Sequence, residues 1–230
     1  MTDWLFPPAP TPSLPIVGEP AQAGRRFPVR RILCVGQNYA AHVREMGGDP
    51  SRPAPFFFSK PADAVVTDGK DPAYPSATTN LHHEVELVVA IGSTSEGSIG
   101  AIGWAVGVDL TRRDLQAAAK EKGRPWDASK GFDQSAPCGP ITLGDLPEPC
   151  ASITLAVNGV AKQAGDLSDM IWNPHEIVAK AGELWTLQPG DLIFTGTPEG
   201  VGPLVPGDRV EASIDGLTTL VFTVAETAAS

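Results

Sequence analysis

The sequence predicts a mainly β fold with a few short helices, an α+β chain, on three observations. Glycine (24) and proline (23) make up about a fifth of the 230 positions, a density that suits many short strands joined by turns. Short Val- and Ile-rich runs recur between those turns. Helical punctuation marks only three stretches, 38–46, 112–122 and 174–184. Hydrophobic residues at 42% and charged residues at 19% supply a core and exclude a disordered chain.

In chain order, residues 1–24 hold Pro7, Pro8, Pro10, Pro12, Pro15 and Pro20 and read as an extended arm that joins no hydrogen-bond ladder. A single domain is then expected over 25–230. A strand over 29–35 hands over at Gly36 to a helix over 38–46, stopped by Gly47 and Gly48. Pro50, Pro53 and Pro55 follow as a loop, and with the helix they suggest a cover over 37–55. Strands are expected over 56–59, 64–67, 83–91 and 101–109. Thr111 and Asp114 have capping-box spacing ahead of a helix over 112–122 that Gly123 ends. Asn158-Gly159 turns a strand at 153–157 into one at 160–163. Asn173 as cap, Pro174 at the first helical position and Glu176 at the third open a helix to about 184. Strands over 192–195, 209–214 and 219–224 close the chain, the last two joined by Asp215-Gly216.

Lys plus Arg number 17 against 27 Asp plus Glu, a net charge of −10, so the surface repels phosphate backbones and anionic lipid. Nucleic acid and membrane are therefore excluded as expected partners. No apolar run approaches the roughly 18 residues of a membrane span, and the start lacks the basic-then-apolar pattern of a leader. Cys34, Cys138 and Cys150 stand far apart, which supports neither a zinc knuckle nor a disulfide framework and fits a reducing cytoplasm.

The chemistry is carried by a few polar residues. The strand period of two puts Glu84 and Glu86 on one face, opposite Val85, Leu87 and Val89. Neighbouring like charges on an apolar strand want a shared proton, solvent or a divalent cation. A solvated sheet face is the plain alternative. Asp109, ending another apolar strand, would complete an all-oxygen set suited to Mg²⁺ or Mn²⁺. His42 and Glu45, three apart on a helix, suit a general base with an orienting carboxylate, or an ordinary surface pair. Arg113 and Gln116 share a helix face and could hold a carboxylate and a carbonyl, whereas Arg112 and Lys120 read as solvated. Lys130, in a polar loop, could offer an ammonium to an enolate. Thr195-Gly196-Thr197-Pro198 and the glycines after it could present amides and a hydroxyl to an oxyanion, without the lysine of a nucleotide-binding loop.

Six ordered stretches then resemble the fumarylacetoacetate hydrolase family over about 29–214: Cys34-Val35-Gly36-Gln37-Asn38-Tyr39-Ala40, Phe58-Ser59-Lys60-Pro61, His82-His83-Glu84-Val85-Glu86-Leu87, the segment from Asp109 to Gln116, Ser129-Lys130, and the segment from Thr195 to Gly202. The resemblance implies a mixed β-sandwich roll of the family's C-terminal domain type, a homodimer, and Mg²⁺ or Mn²⁺ at Glu84, Glu86 and Asp109. It implies that His42 and Glu45 activate water and that Lys130, Gln116, Arg113 and Thr197 surround an oxo-acid substrate. Gln37 stands where many relatives carry arginine, and Arg44 or Lys60 is expected to supply the missing cation. The chain looks most like the members that hydrolyse acylpyruvates such as fumarylpyruvate in aromatic-acid breakdown. Oxaloacetate decarboxylation or oxo-acid isomerisation is the alternative within the family, and a β-rich module stabilised by a metal is the alternative outside enzymes.

Overall fold

The computed structural model describes residues 4–18, 22, 24–47 and 54–227. Pro20 of the predicted arm, and Gly48, Pro50 and Pro53 of the predicted cover, lie outside the described residues.

An eight-stranded mixed sheet runs from edge to edge through Arg26–Pro28, Ser13–Val17, Ile141–Leu143, Ile99–Val108, Val85–Ser93, Asp191–Phe194, Arg31–Gly36 and Phe56–Lys60. Its central strands are apolar on both faces because side chains alternate: Leu33, Val35, Leu87 and Val89 enter one core, while Ile32, Cys34, Val88 and Ala90 enter another. The first core is closed by a four-stranded antiparallel sheet of Val160–Asp166, Ser152–Val157, Arg209–Ile214 and Leu220–Thr223, which contributes Ile153, Leu155, Val210 and Ala212. Four α-helices decorate these layers among the described residues: α1 (Ala40–Glu45), α2 (Arg113–Glu121), α3 (Asp127–Lys130) and α4 (Pro174–Leu184).

Local chemistry accounts for the sharpest boundaries. Asn158 (φ 52°) and Gly159 (φ 76°) make the left-handed pair that a two-residue hairpin requires. Asn173 Oδ1 accepts from Glu176 N–H and Glu176 Oε2 accepts from Asn173 N–H, both at 3.0 Å, so α4 starts on a reciprocal cap.

Three expectations change. The arm joins the ladder after all, because Ser13–Val17 is a strand of the large sheet with Leu14 fully buried. Pro15 faces Arg26 at a non-hydrogen-bonded pair, and Ile16 N–H donates to Arg25 O at 3.1 Å, so the ladder bypasses the missing donor. The strand expected over 83–91 divides into Leu81–His83 and Val85–Ser93, the first pairing instead with Gly202–Leu204 and Thr111–Arg112. Thr111 is no cap: it lies in the strand Thr111–Arg112, and its hydroxyl turns inward to Glu84 Oε1 at 3.2 Å while Asp114 accepts from Thr78 and Thr79.

Candidate active site

The strand break places the carboxylates. Val85 pairs with Val108 in antiparallel register, so Glu84 and Asp109 meet one residue further on, tied by Asp109 N–H donating to Glu84 O at 2.8 Å. One oxygen each from Glu84, Glu86 and Asp109 lies within 4.8 Å of the others, and all three residues are buried. Lys130 Nζ spends its three protons here, on Glu84 Oε2 (2.9 Å), Asp109 Oδ2 (2.6 Å) and Thr111 Oγ1 (2.6 Å). Lys60 Nζ lies 2.8 Å from Asp109 Oδ1 but off the hydrogen-bond directions, which leaves that buried oxygen an unused acceptor. A hard divalent cation fits such a set: three clustered carboxylates, one of them under-satisfied, with no sulfur among them.

Electrostatics separates the two glutamates. Burial alone would raise the Glu84 carboxyl, but Lys130, Arg113 and His42 together overcome it and hold it well below the usual carboxylate range. Glu86 is pushed far up, first by burial and then by the negative charge of Asp109 and Glu84. Burial works against the Lys130 ammonium too, yet Asp109 and Glu84 hold its pKa above the ordinary lysine value.

Across the cleft, α1 presents His42, with Nδ1 3.1 Å from Glu45 Oε2. Donation of that N–H to the carboxylate leaves Nε2, on the other side of the ring, without a claim from Glu45. Glu45 is itself held by Gly200 N–H, at 3.1 and 3.2 Å from its two oxygens. Gly200 (φ 90°) must be glycine, since a Cβ there would sit 2.1 Å from Lys162 O. Gly196 N–H donates to Glu86 Oε2 at 2.7 Å. These two amides, expected to face an oxyanion, are thus spent on the site's own carboxylates. Thr197 lines the cleft: its Oγ1 accepts from Gln163 Nε2 at 2.8 Å, so its own proton remains to be given.

The expected substrate-side cations fall on two sides of the carboxylates. Arg113 lines the cleft and donates to Glu84, to Gln116 Oε1 at 2.6 Å and to His82 Nδ1 at 3.4 Å, leaving one proton on each terminal nitrogen. Gln116, accepting there, has its amide N–H groups to offer. His82 is neutral, its pKa lowered to about 4 by burial and then by Arg113. Lys60 lies behind Asp109 rather than in the cleft, its ammonium donating to Leu110 O and Lys130 O. It cannot replace the arginine missing at Gln37, which is exposed at the rim with φ 62°. Arg44 is exposed on α1. Lys130 ends a helical turn and is buried, not looped out to solvent.

Comparison with known proteins agrees with this architecture. Residues 31–225 match the model of the fumarylacetoacetate (FAA) hydrolase C-terminal family. The chain belongs to this family. Its fold is that of the family's C-terminal domain, as a crystal structure of fumarylpyruvate hydrolase from Pseudomonas aeruginosa in complex with Mn²⁺ and pyruvate also indicates: TM-score 0.89, 46% identity, covering 97% of this chain and 100% of that one. Fumarylpyruvate hydrolase of a Ralstonia species is 42% identical over 183 residues, 76% of this chain and 95% of the relative. An oxaloacetate tautomerase of Escherichia coli (strain K12) is 39% identical over 209 residues, 85% of this chain and 94% of the relative.

Sequence reasoning missed two polar residues that shape this family member's site. Gln163 is buried and fully paired, accepting from His83 Nδ1 (2.9 Å) and Val85 N–H (3.1 Å) while donating to Thr197 and Pro198 O. It joins the carboxylate strands to the Thr197 loop, and only its position on an inward face of a hairpin strand could have pointed to it. Asn38 bonds Thr195 O at 2.8 Å and both Trp172 O and Trp172 N–H, fixing the start of the α1 segment.

Proposed function

We propose that the protein is a metal-dependent hydrolase that cleaves the carbon–carbon bond of an acylpyruvate such as fumarylpyruvate, giving pyruvate and fumarate. The observation that carries the reading is His42, held by Glu45, facing a buried cluster of three carboxylate ligands across one cleft. Hydrolysis needs both, whereas tautomerisation or decarboxylation of an oxo acid can proceed on the carboxylate side alone.

A divalent cation, Mg²⁺ or Mn²⁺, held by Glu84, Glu86 and Asp109 supplies Lewis-acid polarisation of the oxo acid's oxygens when bound. His42 Nε2 takes a proton from water as the oxygen adds to the distal carbonyl carbon, and Glu45 stabilises the imidazolium. The Thr197 hydroxyl donates to the oxyanion so formed. As the carbonyl re-forms, the bond to the methylene carbon breaks and its electron pair passes to pyruvate enolate. Imidazolium returns its proton to that carbon, and the acyl group leaves as a carboxylic acid that ionises. Arg113 and Gln116 hold the pyruvyl end with their remaining protons, and the Lys130 charge favours the enolate. The reading extends to a homodimer in a reducing cytoplasm, in keeping with three free cysteines.

The test is a side-by-side assay of fumarylpyruvate and oxaloacetate with the parent and His42→Ala. The hydrolase reading expects Mn²⁺-dependent release of pyruvate and fumarate, lost by about 10²–10⁴-fold in the variant, with metal affinity retained. An unimpaired variant removes His42 as the base. A parent that converts only oxaloacetate, with or without His42, replaces hydrolysis by the tautomerase or decarboxylase reading.

A further inference from the structure

The space beside the carboxylates is very unequal. The hollow directly between Glu84, Glu86, His42 and Lys130 holds about 30 Å³, room for an ion or a water. Next to it, sharing Phe58, Lys120, Trp126 and Lys130, opens a hollow of about 600 Å³. A substrate too large for the small hollow can extend its remaining atoms there, past Phe58 and Trp126.

That second hollow has the chemistry of a slot for a flat anion. Phe56 and Phe58 share one face of the strand Phe56–Lys60 by its period of two, and both meet Trp126, at 4.9 and 5.8 Å between ring centroids. A cation stands on this aromatic wall at each end: Lys130 Nζ lies 5.0 Å from the Phe58 ring and Lys120 Nζ 5.1 Å from the Trp126 ring. Arg113, Gln116 and Lys120 are three and then four residues apart, so α2 presents them as one stripe leading from the carboxylates outward. Lys130 is committed to Glu84 and Asp109. Among the described residues, Lys120 and Arg124 have no carboxylate partner, and Asp127 is the one acid lining this hollow.

We infer that this hollow is the subsite for the substrate's acyl chain, and that Lys120, seconded by Arg124, reads a carboxylate at the far end of a planar, unsaturated acyl group. The inference rests on the acylpyruvate reading above and names its specificity residue. It also answers how the site compensates for Gln37: the second cation comes from α2, not from Arg44 or Lys60. Burial, and then Arg113, lower the Lys120 pKa, which leaves its ammonium in a positive surrounding that an anion relieves.

Two measurements on the Mn²⁺-loaded protein test it with Lys120→Gln and Lys120→Arg. The first is the ratio of kcat/KM for fumarylpyruvate to that for acetylpyruvate, which lacks the far carboxylate. The ratio should fall about tenfold in Lys120→Gln, the worth of one charge-assisted contact at a partly exposed site, and recover in Lys120→Arg. A ratio unchanged in Lys120→Gln overturns the assignment. The second is calorimetric binding of fumarate, expected to weaken about tenfold in Lys120→Gln only; equal affinity in all three proteins also overturns it. If the parent cleaves neither acylpyruvate while fumarate binding still depends on Lys120, the catalytic reading falls and the subsite stands.

Discussion

The carboxylate half of the site and the His42 half rest on different kinds of support. Glu86 and Asp109 sit at the ends of nine- and ten-residue strands in the middle of the large sheet, with Lys60 and Lys130 locked among them and essentially no solvent contact. His42 and Glu45 lie on a six-residue helix, tied to the body through Gly200 N–H and through Asn38. A helix of that length has little stability of its own, so its position is set by those tertiary bonds together with the burial of Tyr39 and Val43. For the proposed reaction the difference teaches a division of labour: the charges that would hold an ion are placed where the backbone has least freedom, and the proposed base is placed on a short helix at the cleft's other side.

Breaking the rigid half should have the largest effect. Glu86→Ala removes a proposed ligand and leaves Gly196 N–H without its acceptor; Mn²⁺ binding by calorimetry and turnover should both be lost. Glu45→Gln strikes the other half: metal affinity should be retained while kcat falls on the order of 10²-fold, the scale of general-base catalysis with a poorly oriented imidazole. Equal loss of metal binding in that variant would erase the proposed division. Lys60→Met sharpens it from behind, since a buried second-layer partner of a ligand typically affects metal affinity by about 10–100-fold, with KM for the oxo acid following the metal. The smallest effect is expected at Asp114, whose pKa hydrogen bonds from Thr78, Thr79 and Leu115 hold down against the contrary pull of burial. Its contribution is fully present above the unfolded value of about 3.9 and is lost as pH falls through the depressed folded value. Asp114→Asn should therefore melt about 2–4 °C lower at neutral pH, for about 1 kcal/mol of lost hydrogen bonding, and the gap should close in acid.

Much of this was legible along the chain, in proportion to how local the cause is. Asn158-Gly159 and the Asn173–Glu176 cap follow from dihedral preference and hydrogen bonds within a few residues. The three carboxylates proposed as ligands were legible as residue types on apolar strands, and their clustering is what the structure adds. Thr111 misled because its spacing from Asp114 mimics a cap while its hydroxyl is claimed by Glu84, a residue 27 positions away. Pro15 misled because a proline's cost depends on which side of the ladder needs a donor.

The sequence by itself determined the alternation of strands, the turns that end them and the set of ionisable groups available to a divalent ion. Only the tertiary structure decided which cation stands where: Lys60 behind Asp109, Lys130 within the carboxylates, Lys120 at the outer end of an aromatic wall. The physical reason is range, since backbone preferences act over a few residues, whereas a charge is positioned by contacts between segments 50 and more residues apart, such as Lys60 with Leu110 O and Glu86 with Gly196 N–H.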